Sequence, residues 1–124
     1  MSTLNPTSVS AYRDKISWAK SSASTAQPLR VETVTLDFVL ERNSIPYNFD
    51  LLVVDVEGHE EPIVKSLLDS KWRPHVMIVE LCDFHPDFAT APELQEPDRR
   101  LRQLILAHGY SERYVDHINS IFAI

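Results

Sequence analysis

The chain has 124 residues, of which 44% are hydrophobic and 24% are charged, and its formal net charge is -6. This is the composition of one small globular domain. The acidic balance and the lack of a basic cluster with interleaved aromatic residues argue against nucleic acid as a partner. Apolar runs of about six residues are far shorter than the roughly 18 that span a bilayer, so we expect no membrane partner either.

The numbers of cysteines and glycines bear on the cellular compartment of the protein and on the kind of ligand it can bind. The N-terminus lacks the positive and apolar stretches of a secretory signal, and a single cysteine, Cys82, cannot form an internal disulfide. We therefore expect a cytoplasmic protein. The only glycines are Gly58 and Gly109. Because a nucleotide-binding glycine loop needs several glycines close together, this sequence cannot form one.

Residues 1–28 are predicted to form an N-terminal helix and a polar connector. Asn5 and the proline after it are typical of a helix start, and apolar residues at helical spacing favour an amphipathic helix over 6–20. The polar segment 21–28 then forms the connector. Frequent β-branched residues in 29–36 predict a strand.

The central part of the chain is predicted to alternate helices and strands. Asp37 is expected to cap a short helix that ends near Asn43. The apolar run Leu51–Val54 predicts a strand buried on both faces, as in a parallel sheet covered by helices. After Gly58, acidic residues and an early proline indicate a helix start. A second central strand is predicted over 76–81.

The last third is predicted to be a loop, a helix and a hairpin. A polar loop over 83–95 precedes a helix that begins at Pro97 and stops at Gly109. The inward side of this helix is formed by Leu101, Leu104 and Ile105. The two final strand-like runs are separated only by Asp116 and His117, so they are antiparallel neighbours. The expected fold class is therefore α/β, with a mainly parallel sheet, a C-terminal antiparallel hairpin and helices packed on the sheet.

Titratable side chains follow both predicted central strands at their carboxyl ends. The first strand is followed by Asp55, Glu57, His59 and Glu60, and the second by Glu80, Asp83, His85 and Asp87. Because ligands of α/β sheets bind where parallel strands end, we expect these residues to share one site. Clustered carboxylates raise the pKa of one another, which suits an acid or base that works near neutral pH.

Simpler interpretations exist for several of these residues. Glu60 and Glu61 lie where a helix dipole favours acidic side chains. His59 and His85 fit ordinary loop histidines, and Cys82 fits a small buried side chain. A cation site built from the carboxylates is a further alternative, although their spacing matches no dedicated metal-binding loop.

Several segments together resemble the FkbM-type methyltransferase family. They are "TVTLDFVL", "FDLLVVDVEGHEEPIVKSLL", "PHVMIVEL" and the final "GY…YVDHINSIFAI". A Thr-Leu-Asp helix start, an Asp-x-Glu-Gly-x-Glu core and a hydrophobic strand ending in Glu are specific in combination. With the N-terminal "STLNPTSV", the resemblance covers nearly all of 1–124 as a single methyltransferase-like domain.

The resemblance implies a Rossmann-like class I fold and a function. Such enzymes use S-adenosylmethionine to methylate sugars or other small metabolites, usually at oxygen. The catalytic candidates are then Asp55, Glu57, His59 and Glu80, with one of the carboxylates or the histidine taking the proton of the acceptor. The substrate-binding candidates are Glu60, Asp83 and His85. No metal ligand is implied.

The sequence also departs from the family. Members carry the first strands and the glycine-rich cofactor loop before the part present here. We therefore expect an incomplete domain that binds S-adenosylmethionine weakly or not at all alone. It is a fragment or split product of a longer enzyme, or it is completed by another polypeptide or a homo-oligomer, or it is a standalone remnant that serves as a non-catalytic binding or assembly module. The usual strand order leaves the edge of Leu51–Val54 open, so we expect self-association there, or coverage by the N-terminal helix or the 29–36 strand.

Overall fold

The computed structural model describes residues 6–17, 19–25 and 27–124. The helices are α1 (Pro6–Lys15), α2 (Lys20–Ser24), α3 (Leu36–Arg42), α4 (Glu60–Leu68) and α5 (Pro92–Ala107). The strands are β1 (Leu51–Val54), β2 (Val76–Glu80), β3 (Ser111–Val115) and β4 (Asn119–Ala123). A short 3-10 helix at Pro86–Phe88 lies between β2 and α5. In the described part of the chain, no helix is both long and apolar enough to cross a membrane.

The N-terminal region contains two helices where one was predicted. The predicted cap Asn5 lies outside the described residues. The helix expected over 6–20 ends at Lys15, and α2 begins at Lys20, the last residue of that predicted helix, and continues into the predicted connector. The break lets two buried residues, Ile16 and Ala19, pack against Phe88 near the start of α5. Tertiary packing therefore overrides a continuous helical pattern.

The strand predicted over 29–36 is wrong. Residues 27–35 form neither helix nor strand, and α3 begins at Leu36. β-Branched residues favour an extended backbone, but a strand also needs a partner for its hydrogen bonds, and composition does not supply one. The cap of α3 also differs from the prediction, since the Thr35 side chain, and not Asp37, accepts a hydrogen bond from the Phe38 N–H at 3.3 Å.

The sheet has the strand order β1-β2-β4-β3. β1 and β2 are parallel, whereas β4 is antiparallel to both β2 and β3. The predicted C-terminal hairpin is confirmed. The expectation of a mainly parallel sheet holds for strand direction, since only β4 is reversed, but β1–β2 is the one parallel pairing among the described residues.

One face of the sheet carries the core. The alternate strand residues that face α4 and α5 are buried in one cluster with the apolar sides of these helices: Val54, Met77, Val79, Phe122, Val64, Leu67, Leu101 and Ile105. On the opposite face, Leu51 is 51% exposed and Val53 is 58% exposed. The prediction that β1 is buried on both faces is therefore wrong, because α4 and α5 cover the same side.

β1 lies at the edge of the sheet, as expected. The two predicted intramolecular covers are wrong for the described residues. The segment 27–35 does not pair with β1, and α1 packs with α2, α5 and the 3-10 helix region instead. Self-association through this edge stays a prediction.

The helix expected from Pro97 begins five residues earlier, at Pro92. Pro97 lies inside α5, where its missing N–H gives up one helical hydrogen bond near the start of the helix. The predicted 83–95 loop is correspondingly shorter. The predicted stop is confirmed, because α5 ends at Ala107 and Gly109 has a φ of 90°, a left-handed conformation that favours glycine.

Candidate active site

The turn from β1 into α4 has an unusual backbone that presents Glu57. Glu57 has a φ of 54° and Gly58 a φ of 91°, so two successive residues are left-handed. The Glu60 side chain reaches back from α4 to this turn. Its carboxylate accepts hydrogen bonds from the Val56 N–H at 3.0 Å and from the Gly58 N–H at 3.0 and 3.2 Å. The turn is therefore tied to the first residue of the helix.

Glu80, at the end of β2, is the carboxyl group with the most altered acidity among the strand-end acids. Burial raises the pKa of Glu80 to about 8, and a hydrogen bond with Asp55 and the charges of Glu57 and Glu60 act in the same direction. A protonated Glu80 donates to the Asp55 carboxylate. The ends of the two parallel strands thus hold a carboxyl pair that shares a proton near neutral pH.

Glu57 completes this group from the turn. Partial burial raises the pKa of Glu57, with further contributions from the charges of Asp55 and Glu60. Among the described residues, no lysine or arginine lies within ion-pair distance of Asp55, Glu57 or Glu80. Burial and neighbouring negative charges therefore raise the pKa values of Glu57 and Glu80, and no described cation forms an ion pair with either of them.

Asp98 on α5 forms the opposite wall and was missed from the sequence. Its carboxylate accepts a hydrogen bond from the Cys82 N–H at 2.8 Å. Burial raises the pKa of Asp98 to about 7, partly offset by this hydrogen bond. The sequence did indicate that Asp98 faces inward, since it recurs at helical spacing with Leu94, Leu101 and Ile105. The prediction that the helix begins at Pro97 placed it in the first turn, where acids are ordinary.

Aromatic side chains close the cleft on its α1 side. The rings of Tyr12 and Phe88 meet edge to face with centroids 5.7 Å apart. Burial raises the pKa of Tyr12 and also that of Cys82, so both stay protonated at neutral pH. The Cys82 Sγ lies 4.0 Å from a Glu80 carboxyl oxygen. The apolar spacing of α1 explained Tyr12 as a core residue, so no separate signal marked it.

These elements border a cleft with two adjoining parts. The larger part has a volume of about 390 Å³ and is lined by the β1–α4 turn, the end of β2, the 3-10 helix, α1 and α5. Asp55 is exposed and lines neither part. The smaller part has a volume of about 260 Å³. Both parts are lined by Tyr12, Glu57, Glu80, Cys82 and Phe88. A space of this size suits a small-molecule ligand.

The two predicted histidines reach the cleft at different places. His59 precedes the first turn of α4 and lines the larger part. His85 lines the smaller part, and its Nδ1 accepts a hydrogen bond from the Asp87 N–H at 3.1 Å. His85 also packs on Phe88, with ring centroids 4.9 Å apart.

Asp83 does not face the cleft. Its side chain is fully buried and pairs with Arg102 of α5 through contacts of 2.6 and 3.0 Å. Arg102 also donates to the Ser120 hydroxyl at 3.0 Å and contacts Glu112. The structure thus gives Asp83 a place in a buried network that joins β2, α5 and the hairpin. Glu60, with both carboxylate oxygens engaged by backbone N–H groups, is likewise occupied within the fold.

Ion pairs neutralise other acids at the rim of the cleft. Arg100 pairs with Glu61 at 2.9 Å, and Lys15 of α1 pairs with Glu93 of α5 at 2.6 Å. In the part of the chain that the structure describes, no group of three or more His, Cys, Asp or Glu side chains is arranged to hold a metal ion. Among the described residues that line the cleft, the carboxyl groups of Glu57, Glu80 and Asp98 form no ion pair.

Comparison with known proteins gives one match. The model of the methyltransferase FkbM domain matches residues 3–112, which is most of the chain. No curated protein and no solved structure matches the chain significantly. The four-stranded sheet with helices is compatible with an α/β methyltransferase domain. The chain belongs to the methyltransferase FkbM domain family.

Proposed function

We propose that this chain supplies the acceptor side of an S-adenosylmethionine-dependent methyltransferase that acts on a hydroxyl oxygen of a sugar or other small metabolite. Family membership supports methyl transfer as the reaction. The observation that carries the finer proposal is Glu80, which lines the cleft, has its pKa raised to about 8 and forms a hydrogen bond with the exposed Asp55. Loss of a hydroxyl proton is the step for which an oxygen acceptor needs such a group.

The residues present fit one end of S-adenosylmethionine. Its sulfonium is a cation, and the carboxylate of Glu57, which lines both parts of the cleft, would offset that charge. When bound, the cofactor supplies an activated methyl group. Its methionine end is held in class I enzymes by a glycine-rich loop, and the 124 residues contain two glycines 51 positions apart. These residues therefore fit the reactive sulfonium end of the cofactor, and they include no glycine-rich loop for its methionine end.

Glu80 holds and moves the acceptor proton. In its ionised form, the Glu80 carboxylate accepts the proton of a hydroxyl that is bound beside it in the cleft. The raised pKa gives this carboxylate a stronger hold on the proton than an exposed one would have, and the hydrogen bond with Asp55 contributes to that rise. His59 lines the same space and is the second candidate base. Tyr12 and Phe88 exclude water and orient the acceptor.

The open edge of β1 supports a partner. Four residues of edge strand, with Leu51 and Val53 exposed, form a surface that proteins seldom leave uncovered. We propose that a second copy of the chain or a complementing polypeptide covers it. The same edge, together with the missing glycine loop, favours the alternative function of a non-catalytic binding or assembly module.

A methyl-transfer assay separates these functions. The chain is incubated with several millimolar S-adenosylmethionine, labelled at the methyl group, and with a panel of sugars and small hydroxylated metabolites. We expect label in an ether product, saturation only at millimolar cofactor, and a loss of at least about 100-fold in Asp55→Asn and Glu80→Gln with little change in melting temperature. Glu96→Gln, at an exposed position of α5, is the matched control. No transfer by the wild type would favour the binding module, whereas transfer that these variants leave unchanged would contradict the role given to Asp55 and Glu80.

A further inference from the structure

We propose that Glu60 is a positioning residue, whose buried carboxylate holds the β1–α4 turn and thereby directs Glu57 into the cleft. The inference starts from the backbone of the turn. Glu57 is left-handed, with a φ of 54°, although it carries a side chain. A residue other than glycine adopts this conformation only when the surrounding structure imposes it.

The carboxylate of Glu60 supplies that constraint. It accepts hydrogen bonds from the N–H groups of Val56 and Gly58, the two residues on either side of Glu57. Both contacts are charge-assisted and at most 3.2 Å long, and Glu60 is only 4% exposed. A buried carboxylate must be paired in this way, so the contacts fix the turn and the side chain together.

A direct role for Glu60 in ligand binding does not fit these contacts. Both of its oxygens are already engaged by backbone N–H groups. The next residue shows the contrast, because Glu61 lies at the rim and pairs with Arg100. Each acidic residue of the Asp-x-Glu-Gly-x-Glu motif therefore has a different physical role. Asp55 pairs with Glu80, Glu57 faces the cleft, and Glu60 holds the turn between them.

The consequence for the reaction rests on the proposed function. In the observed turn, Glu57 lines both parts of the cleft and adds its charge to those of Asp55 and Glu80. If the turn is released, Glu57 is free to move to solvent. The position of Glu57 can be measured without any turnover, so the failure of this inference is distinguishable from the failure of the methyl-transfer proposal.

The experiment compares Glu60→Ala, Glu60→Gln and Glu61→Gln in the full chain by NMR. Hydrogen exchange of the Val56 and Gly58 amides reports the turn, and the ¹³C chemical shift of the Glu57 carboxyl, followed against pH, reports its environment. In Glu60→Ala we expect amide protection to fall about tenfold or more, and the pKa of Glu57 to return toward its ordinary value as burial is lost.

The other two variants separate position from charge. Glu60→Gln removes the charge and keeps an acceptor oxygen, so it should retain most of the amide protection and the part of the Glu57 pKa shift that arises from burial and Asp55. Glu61→Gln should leave both readouts unchanged. If Glu60→Ala does not fold, Glu60→Asp, too short to reach both amides, replaces it. The inference is overturned if these amides stay protected, or if Glu57 titrates as in the wild type, once Glu60 is shortened.

Discussion

At the residue scale, the raised pKa of Glu80 links the candidate active site to stability. The ordinary pKa of the side chain is 4.5, and burial raises it to about 8 in the folded chain. Between these values the folded chain holds a proton that the unfolded chain has lost. The contribution of Glu80 to stability is therefore complete below pH 4.5 and is lost as the pH rises through 8.

We expect the free energy of unfolding to fall by on the order of 2 kcal/mol between pH 5.5 and 8.5, less than full linkage because the carboxyl is partly exposed. Asp98, with a pKa raised to about 7, acts in the same direction. Glu80→Gln keeps a donor for Asp55 and removes the titration, so it should flatten part of this decline. Urea unfolding at the two pH values measures the effect. Stability that is constant or rising over this range in the wild type would contradict the assigned acidities.

The sequence predicted which strand ends bring acidic side chains to the candidate site, but not where every acid lies. Glu57 and Glu80, which follow apolar strands, line the cleft, whereas Asp55 is exposed beside it. Asp83 follows from the same rule and is nevertheless buried with Arg102, because a partner 19 residues away is invisible to local pattern. Asp98 was missed because α5 begins at Pro92 and not at Pro97, so that Asp98 lies inside the helix and not in its first turn.

At the scale of elements, Arg102 joins β2, α5 and the hairpin. Arg102→Met would leave the Asp83 carboxylate buried without its cation, so we expect a loss of about 3 kcal/mol or more in the free energy of unfolding. Arg99→Met, at an exposed position of the same helix, is the control and should change stability by less than about 0.5 kcal/mol. Chemical denaturation measures both. A small effect of Arg102→Met, equal to that of the control, would show that the network is not needed for folding.

The helices and strands were predicted best where a clear apolar pattern coincides with residues that end the element. β1, β2, α4 and the hairpin have strong apolar patterns with clear ends. The strand predicted over 29–36 was wrong because a preference for extended backbone does not guarantee a neighbouring strand to pair with. The predicted start of α5 was wrong because two prolines, Pro92 and Pro97, both suit a helix start. The packing of Leu94 and Ala91 against α1 favours the earlier one.

At the scale of the whole molecule, the two edges of the sheet differ. β3 has an irregular register between Glu112 and Tyr114 and carries charged residues, both of which discourage pairing. β1 is regular and apolar. We expect self-association through β1, measured by size-exclusion chromatography with light scattering, and a shift toward monomer in Val53→Lys. Val115→Lys on β3 is the control. A wild type that stays monomeric at high micromolar concentration would contradict this prediction and leave a different polypeptide as the expected cover.

Cofactor affinity is also a property of the whole chain. A natural micromolar site corresponds to about -8 kcal/mol, and each hydrogen bond lost with the glycine loop removes about 0.5–1.5 kcal/mol. Calorimetry of this chain with S-adenosylmethionine should therefore show no binding tighter than about millimolar. A clear micromolar dissociation constant would show that the chain builds a complete cofactor site.

The central claim is that the cleft holds a carboxyl group, that of Glu80, which takes up a proton near neutral pH. Its most direct test is the pH titration of the Glu80 carboxyl ¹³C resonance in the intact chain, assigned with Glu80→Gln. We predict a midpoint near pH 8, and a lower midpoint in Asp55→Asn as the hydrogen bond and charge are lost. A single midpoint near 4.5, unchanged in Asp55→Asn, would contradict the account.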